Sequence, residues 1–372
     1  MNRFHAVGIL CACVCVETAW DDDLQASSRA AGDRLVTEME YASSDGRRIP
    51  CVLSMPEGEG PFPVLVTIHG GRGNRDLGFI RSMAAPGGVS PTVTAFNEQP
   101  WAILAISYRA GNGALFGMEH DDVIAGVRFA KTLPRVDPDR VGVVGGSHGG
   151  HLALVAAEKM GREFLCVAAA SPWMTDPIVA MTGDPDQPPL SEVPAEPREA
   201  LIRSGRRLFA NLQRGRGMSE AQAREFLDRH SIEAHAGEIE IPTLFITSRG
   251  DDQVPHALVA PMIRKMRAAG KDVEVYTAEK SPHGFYWART VGAARALRGR
   301  KTPEEAREEE EARRRLIEFF TRHFARDDGR THTGQTSRRH GHAAEAPRHL
   351  GPRGTAVVSD GQGAVRQGAV RW

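Results

Sequence analysis

The residues of this chain best suited to covalent chemistry lie in Gly145-Gly146-Ser147-His148-Gly149-Gly150, a G-x-S-x-G sequence. An apolar run, residues 141–145, leads straight into it, and a helical pattern, residues 148–160, leads straight out. A serine at such a junction sits on a sharp strand-to-helix turn with its hydroxyl lifted above the sheet, and the flanking glycines let neighbouring backbone approach it. No lysine follows, and the glycine spacing fits neither a phosphate loop nor a dinucleotide fingerprint. Ser147 therefore reads as a nucleophile.

A serine hydroxyl attacks poorly at neutral pH unless a base takes its proton and a carboxylate orients that base. On a strand–turn–helix elbow of this type the chain order is serine, acid, histidine. The apolar run 242–247 is followed by Gly250-Asp251-Asp252-Gln253-Val254-Pro255, which offers Asp251 as the acid with Asp252 as second choice. The run 272–277 is followed by Ser281-Pro282-His283-Gly284-Phe285, which offers His283 as the base. The tetrahedral oxyanion needs preorganised N–H donors. One is the amide of His148; the other belongs to His69-Gly70-Gly71-Arg72-Gly73, with Gly71 as donor and Arg72 as the adjacent alternative. The side chains of His148 and His151 read as structural or rim residues.

These groups need a frame. β-rich runs at 35–41, 48–54, 63–68, 102–107, 141–145, 165–170, 242–247 and 272–277 alternate with helical patterns, which predicts an eight-stranded, mostly parallel sheet covered by helices on both faces. The first two runs flank Ser44-Asp45-Gly46 and form a hairpin. Helices are expected over 121–133, 148–160 and 258–269, the last with Gly270 as its stop. Another starts at Thr302-Pro303-Glu304-Glu305, a cap, a Pro at the first position and a capping-box Glu. On it, Glu309–Arg313 and Glu310–Arg314 read as i,i+4 pairs, while Leu316, Ile317, Phe320 and Phe324 dock it. Residues 172–238 interrupt the alternation with a polar, Pro-rich stretch holding a helix from Ser219 to about His230, and read as a lid insertion. The fold class is α/β, of the α/β-hydrolase type.

The chain has 372 residues, with 47 basic and 47 acidic, so a strongly basic nucleic-acid footprint is excluded. No apolar run approaches the roughly 20 residues of a membrane-spanning helix. Residues 1–19 have the layout of a signal peptide, so the catalytic domain spans 20–326 and the protein is expected to be exported, with a cytoplasmic location as the alternative. Leu10-Cys11-Ala12-Cys13 also resembles a lipobox, which would anchor Cys13 to lipid. Three of the five cysteines fall in that segment, and Cys51 and Cys166 read as buried inert thiols. Residues 327–372 lack an apolar period and read as a disordered tail. His332, His340, His342 and His349 within it match no metal-site spacing, and no metal or cofactor is implied elsewhere.

Together, HGG at 69–71, Ser107-Tyr108-Arg109-Ala110-Gly111, Val136-Asp137-Pro138-Asp139-Arg140-Val141, GGSHGG at 145–150, GDDQVP at 250–255 and PHGF at 282–285 resemble the catalytic domain of the prolyl oligopeptidase family, over roughly residues 35–325. In that family the acid lies three residues before the Val of such a loop, which corresponds to Asp251. Family peptidases usually carry a β-propeller. Here about 15 residues separate the leader from the first strand, too few for one blade of roughly 40. The resemblance implies acyl transfer through an acyl-enzyme, on a short peptide or a small-molecule ester. A carboxylesterase of the dienelactone-hydrolase or carbohydrate-esterase kind is the alternative. A catalytically dead α/β-hydrolase serving as a binding module is the reading from another class, although all three triad residues are present.

Overall fold

The structure, a computed structural model, describes residues 34–87, 90–110, 114–287 and 301–325. The leader, Cys13 and the tail beyond residue 326 lie outside the described residues.

Eight strands form one sheet: β1 (Leu35–Ala42), β2 (Arg48–Met55), β3 (Phe62–Ile68), β4 (Ala102–Ile106), β5 (Val136–Gly146), β6 (Cys166–Ala170), β7 (Thr243–Ser248) and β8 (Val273–Ala278). Their spatial order is β1-β2-β4-β3-β5-β6-β7-β8. β1 and β2 pair antiparallel as a hairpin, β2 also pairs antiparallel with β4, and every later pairing is parallel. The central strands are buried on both faces, as their unbroken apolar runs require. Successive side chains point to opposite faces, so Val64, Val66 and Ile68 join one core while Leu65 joins the other.

Helices cover both faces. α1 (Leu77–Ser82) and α2 (Pro91–Asn97) lie between β3 and β4, α3 (Glu119–Ala130) precedes β5, and α4 (His148–Met160) follows it. α8 (His256–Ala268) joins β7 to β8 and stops before Gly270, whose φ is +69°. α9 (Pro303–Phe324) closes the fold, with Thr302 and Glu305 forming the expected capping box. Leu316, Phe319, Phe320 and Phe324 of α9 are buried. Its expected surface pairs are not the ones present. Arg314 and Arg315 both bond Glu311, Arg314 also reaches Glu318, and buried Glu309 pairs with Lys301. Helical spacing admits i,i+3 and i,i+4 partners alike, and docking of the apolar stripe turns Glu309 inward.

The insertion between β6 and β7 is more helical than its composition suggests. Besides α7 (Glu220–Arg229), capped by Ser219 and Gln222, it contains α5 (Pro177–Thr182) and the 22-residue α6 (Ala195–Arg216). Only Gly205 and Leu212 of α6 are buried, while Leu208 and Phe209 pack partly buried beside Leu212. Leu212, Phe226, Leu227, Met174 and Met181 form a small separate core with Phe116.

Candidate active site

β5 runs into Ser147 and α4 runs out of it. Ser147 has φ 55° and ψ −121°, a conformation costing a non-glycine residue roughly 1–3 kcal/mol. The surroundings hold it there. Its N–H donates to Ala170 O at 2.8 Å, continuing the β5–β6 ladder, and its carbonyl accepts from Gly150, His151 and Trp173 at 2.9, 3.1 and 3.0 Å.

Two loops close on this elbow. The first follows β3, where a Cβ added to Gly70 would lie 2.8 Å from Gly146 O and 3.0 Å from the Ser147 Cβ. Only glycine admits so close an approach, and it brings the His69–Gly73 loop against the serine. Tyr108 holds that loop, its hydroxyl donating to the carbonyls of His69 and Gly71 at 3.1 and 3.0 Å. Gly71 has φ +75°, while Arg72 is exposed. The second loop follows β8. A Cβ on Gly146 would meet Tyr286 Cε2 at 2.3 Å and Trp287 Nε1 at 2.6 Å, so the chain just after His283 lies against the elbow. The Tyr286 and Trp287 carbonyls accept from Thr92 and Ser90 of the α2 start.

Asp251 and His283 meet across the ends of β7 and β8. His283 Nδ1 lies 2.8 Å from Asp251 Oδ2, so Nδ1–H donates to the carboxylate. Oδ1 of Asp251 accepts from the amides of Gln253 and Val254 at 2.9 and 2.8 Å, and the carboxylate is fully shielded from solvent. Asp252 is exposed. Burial works to lower the His283 pKa, yet the charge and hydrogen bond of Asp251, with Asp252 adding to the field, raise it above the ordinary histidine value.

His148, directly after the serine, is buried, and its Nε2 lies 2.9 Å from Glu119 Oε2. Glu119 is itself buried at the start of α3 and accepts the Phe116 amide at 2.9 Å through its other oxygen. His148 also packs against Trp173, Tyr108 and His151, so its side chain is structural, as the sequence suggests. Sequence reasoning did not find Glu119, and it placed Tyr108 only within the Ser107–Gly111 motif, without a role. A lone acid at a helix start carries no signal without its partner, and the motif does not say what the tyrosine holds. Burial pushes the Cys51 thiol up to about 12 and raises that of Cys166 too, consistent with inert thiols.

Among the described residues, one group brings metal-type ligand atoms within 4.8 Å of one another: Glu158, His235 and Glu238. It sits at the far end of α4 from Ser147, and Glu158 Oε1 is already bonded by Lys159 and His235 at 2.6 and 2.9 Å.

The sheet order, the strand–elbow–helix and the loops after β3, β7 and β8 define an α/β-hydrolase fold. The comparisons agree. The BD-FAE family model matches residues 52–170. Dipeptidyl aminopeptidase BIII of Pseudoxanthomonas mexicana is 25% identical over 270 residues, covering 66% of this chain and 35% of that protein. Among solved structures, puromycin hydrolase superposes with a TM-score of 0.56 at 16% identity, covering 78% of this chain and 39% of its own. A Pyrobaculum calidifontis esterase superposes with a TM-score of 0.54 at 17% identity, covering 79% of this chain and 88% of its own. The chain is thus similar both to the catalytic part of prolyl-oligopeptidase-type enzymes and to esterases of the same fold, and it spans about a third of the length of the curated relatives it matches.

Proposed function

We propose that this protein is a serine hydrolase that cleaves an ester or peptide bond through an acyl-enzyme. The observation carrying this reading is the buried Asp251–His283 hydrogen bond on the loop pressed against a serine held at φ 55°. Ser147 Oγ attacks the carbonyl carbon and forms a C–O bond, while His283 Nε2 takes the hydroxyl proton. Asp251 fixes the tautomer in which Nε2 is the acceptor and stabilises the imidazolium. The amides of His148 and Gly71 donate to the oxyanion. His283 returns the proton to the leaving group as the C–O or C–N bond breaks. Water, deprotonated by His283, then hydrolyses the acyl-enzyme and frees Ser147.

A small-molecule carboxylesterase is the alternative within this class, since the chain is similar both to an aminopeptidase and to esterases. The insertion carrying α5–α7 would act as the lid over the acyl group. Leader and lipobox would place the enzyme outside the cytoplasm, which N-terminal sequencing of the mature protein checks.

Ser147→Ala should abolish covalent labelling by a fluorophosphonate probe; persistent labelling would remove Ser147 as nucleophile, whereas a wild-type protein that does not label would favour the binding-module reading. Turnover of p-nitrophenyl esters against aminoacyl and prolyl anilides decides between ester and peptide.

A further inference from the structure

We propose that Glu308, on the C-terminal helix α9, is a positioning residue that sets the loop carrying His283. The inference rests on the triad reading above and adds the device that aims its base.

Past the end of β8 the chain leaves the ladder, and the amides of residues 279–281 lose strand partners. All three turn to one carboxylate. Glu308 Oε1 accepts from the amides of Glu279 and Lys280 at 2.8 and 3.2 Å, and Oε2 accepts from Lys280 and Ser281 at 3.2 and 2.8 Å. The Ser281 hydroxyl adds a fourth donor, 2.6 Å from Oε2. Hydrogen bonds to an ionised acceptor are the short, strong kind. Burial works against the charge, but these donors hold the Glu308 carboxyl below the usual glutamate range.

The same cluster reaches the acid loop. The carbonyl of Ser281, which is fully buried, accepts the Ser248 hydroxyl at 2.6 Å, and Ser248 Oγ accepts the Gly250 amide at 3.1 Å. Gly250 immediately precedes Asp251. One carboxylate on α9 therefore ties together the loops that bear acid and base. Only Pro282 stands between Ser281 and His283, and its ring fixes φ, so a displacement of Ser281 is passed on to the imidazole. Anchoring α9 does not need Glu308, because Leu316, Phe319, Phe320 and Phe324 already bury its docking stripe.

The test compares rates, not stability. Glu308→Ala should lower both kcat on p-nitrophenyl acetate and the rate of fluorophosphonate labelling by about 10- to 100-fold, as expected for a misplaced catalytic group, with KM within about twofold. Glu308→Gln keeps one acceptor oxygen but turns an NH₂ toward donors, and should lose nearly as much; it carries the test should the alanine variant not fold. Ile317→Val, which loosens α9 elsewhere, should unfold at lower temperature yet label at the wild-type rate. Wild-type rates in both Glu308 variants, a change confined to KM, or an equal loss in Ile317→Val would each overturn the inference. Ser147→Ala separates the two readings. If it still labels, the triad assignment fails and this inference with it; if it is silent while Glu308→Ala labels normally, only the positioning role fails.

Discussion

Replacing Asp251 by asparagine removes one charge and nearly no volume, and the structure says which way the new amide will face. The turn offers two donors to one side of the group, the amides of Gln253 and Val254, and His283 Nδ1 offers one to the other. An asparagine that keeps its oxygen on the turn retains two bonds; the flipped orientation retains one and leaves two N–H groups facing an NH₂. The first arrangement wins, because an unmade bond at a buried group costs about 1–3 kcal/mol. The amide NH₂ then points at His283 Nδ1, which must become the acceptor, and the imidazole proton moves to Nε2, the atom that has to receive the Ser147 proton. Loss of the correct tautomer in such a triad costs about 10⁴-fold in turnover, or about 5 kcal/mol at about 1.36 kcal/mol per decade. Second-order fluorophosphonate labelling measures the attack step directly. Labelling of Asp251→Asn within about tenfold of wild type would refute the reasoning, as would an equal loss in Asp252→Asn.

The pH dependence follows from the same pair. Because Asp251 raises the His283 pKa, the base is protonated and idle below that value, so the labelling rate should rise with pH through a midpoint above the ordinary histidine value of about 6.5. In Asp251→Asn burial is opposed only by the charge of Asp252, so the midpoint of the residual rate should fall from the wild-type one; a midpoint unchanged by the substitution would break the link. Gly70→Ala places a methyl 2.8 Å from Gly146 O, against backbone that cannot yield. It should lower kcat by at least about tenfold while the protein stays folded by circular dichroism, since donor and nucleophile are pushed apart. Asp122 is completely shielded and accepts from the Arg109 guanidinium, the Arg109 amide and the Ser43 hydroxyl. Asp122→Ala leaves Arg109 paired only with the half-exposed Asp45 and strands the Arg109 amide and the Ser43 hydroxyl, so urea unfolding should show a loss of about 1–3 kcal/mol.

The strands, the elbow and the order of the three candidate groups are all legible in the sequence, because each depends on short-range physics. Short, β-branched apolar runs bounded by turn residues suit strands buried on two faces. A serine between glycines at a strand-to-helix junction announces its own turn, and the Thr302–Glu305 box starts its helix as written. The long α6 was missed although Leu201, Leu208, Phe209 and Leu212 recur at helical spacing, because that stripe is narrow, mostly half-exposed and set in an Arg-rich polar stretch.

What the sequence by itself determined about this protein is therefore the set of reactive residue types, the sheet that orders them and the loops on which they fall. Tertiary structure alone decided which of two adjacent aspartates is shielded and faces His283, that Glu119 buttresses the residue behind the nucleophile, and that a carboxylate on the last helix gathers the amides beside the histidine. Partners such as Glu308 and Ser281 lie 27 residues apart in the chain. Their identity is set by where packing brings the ends of the strands, and no local pattern of residues encodes that meeting.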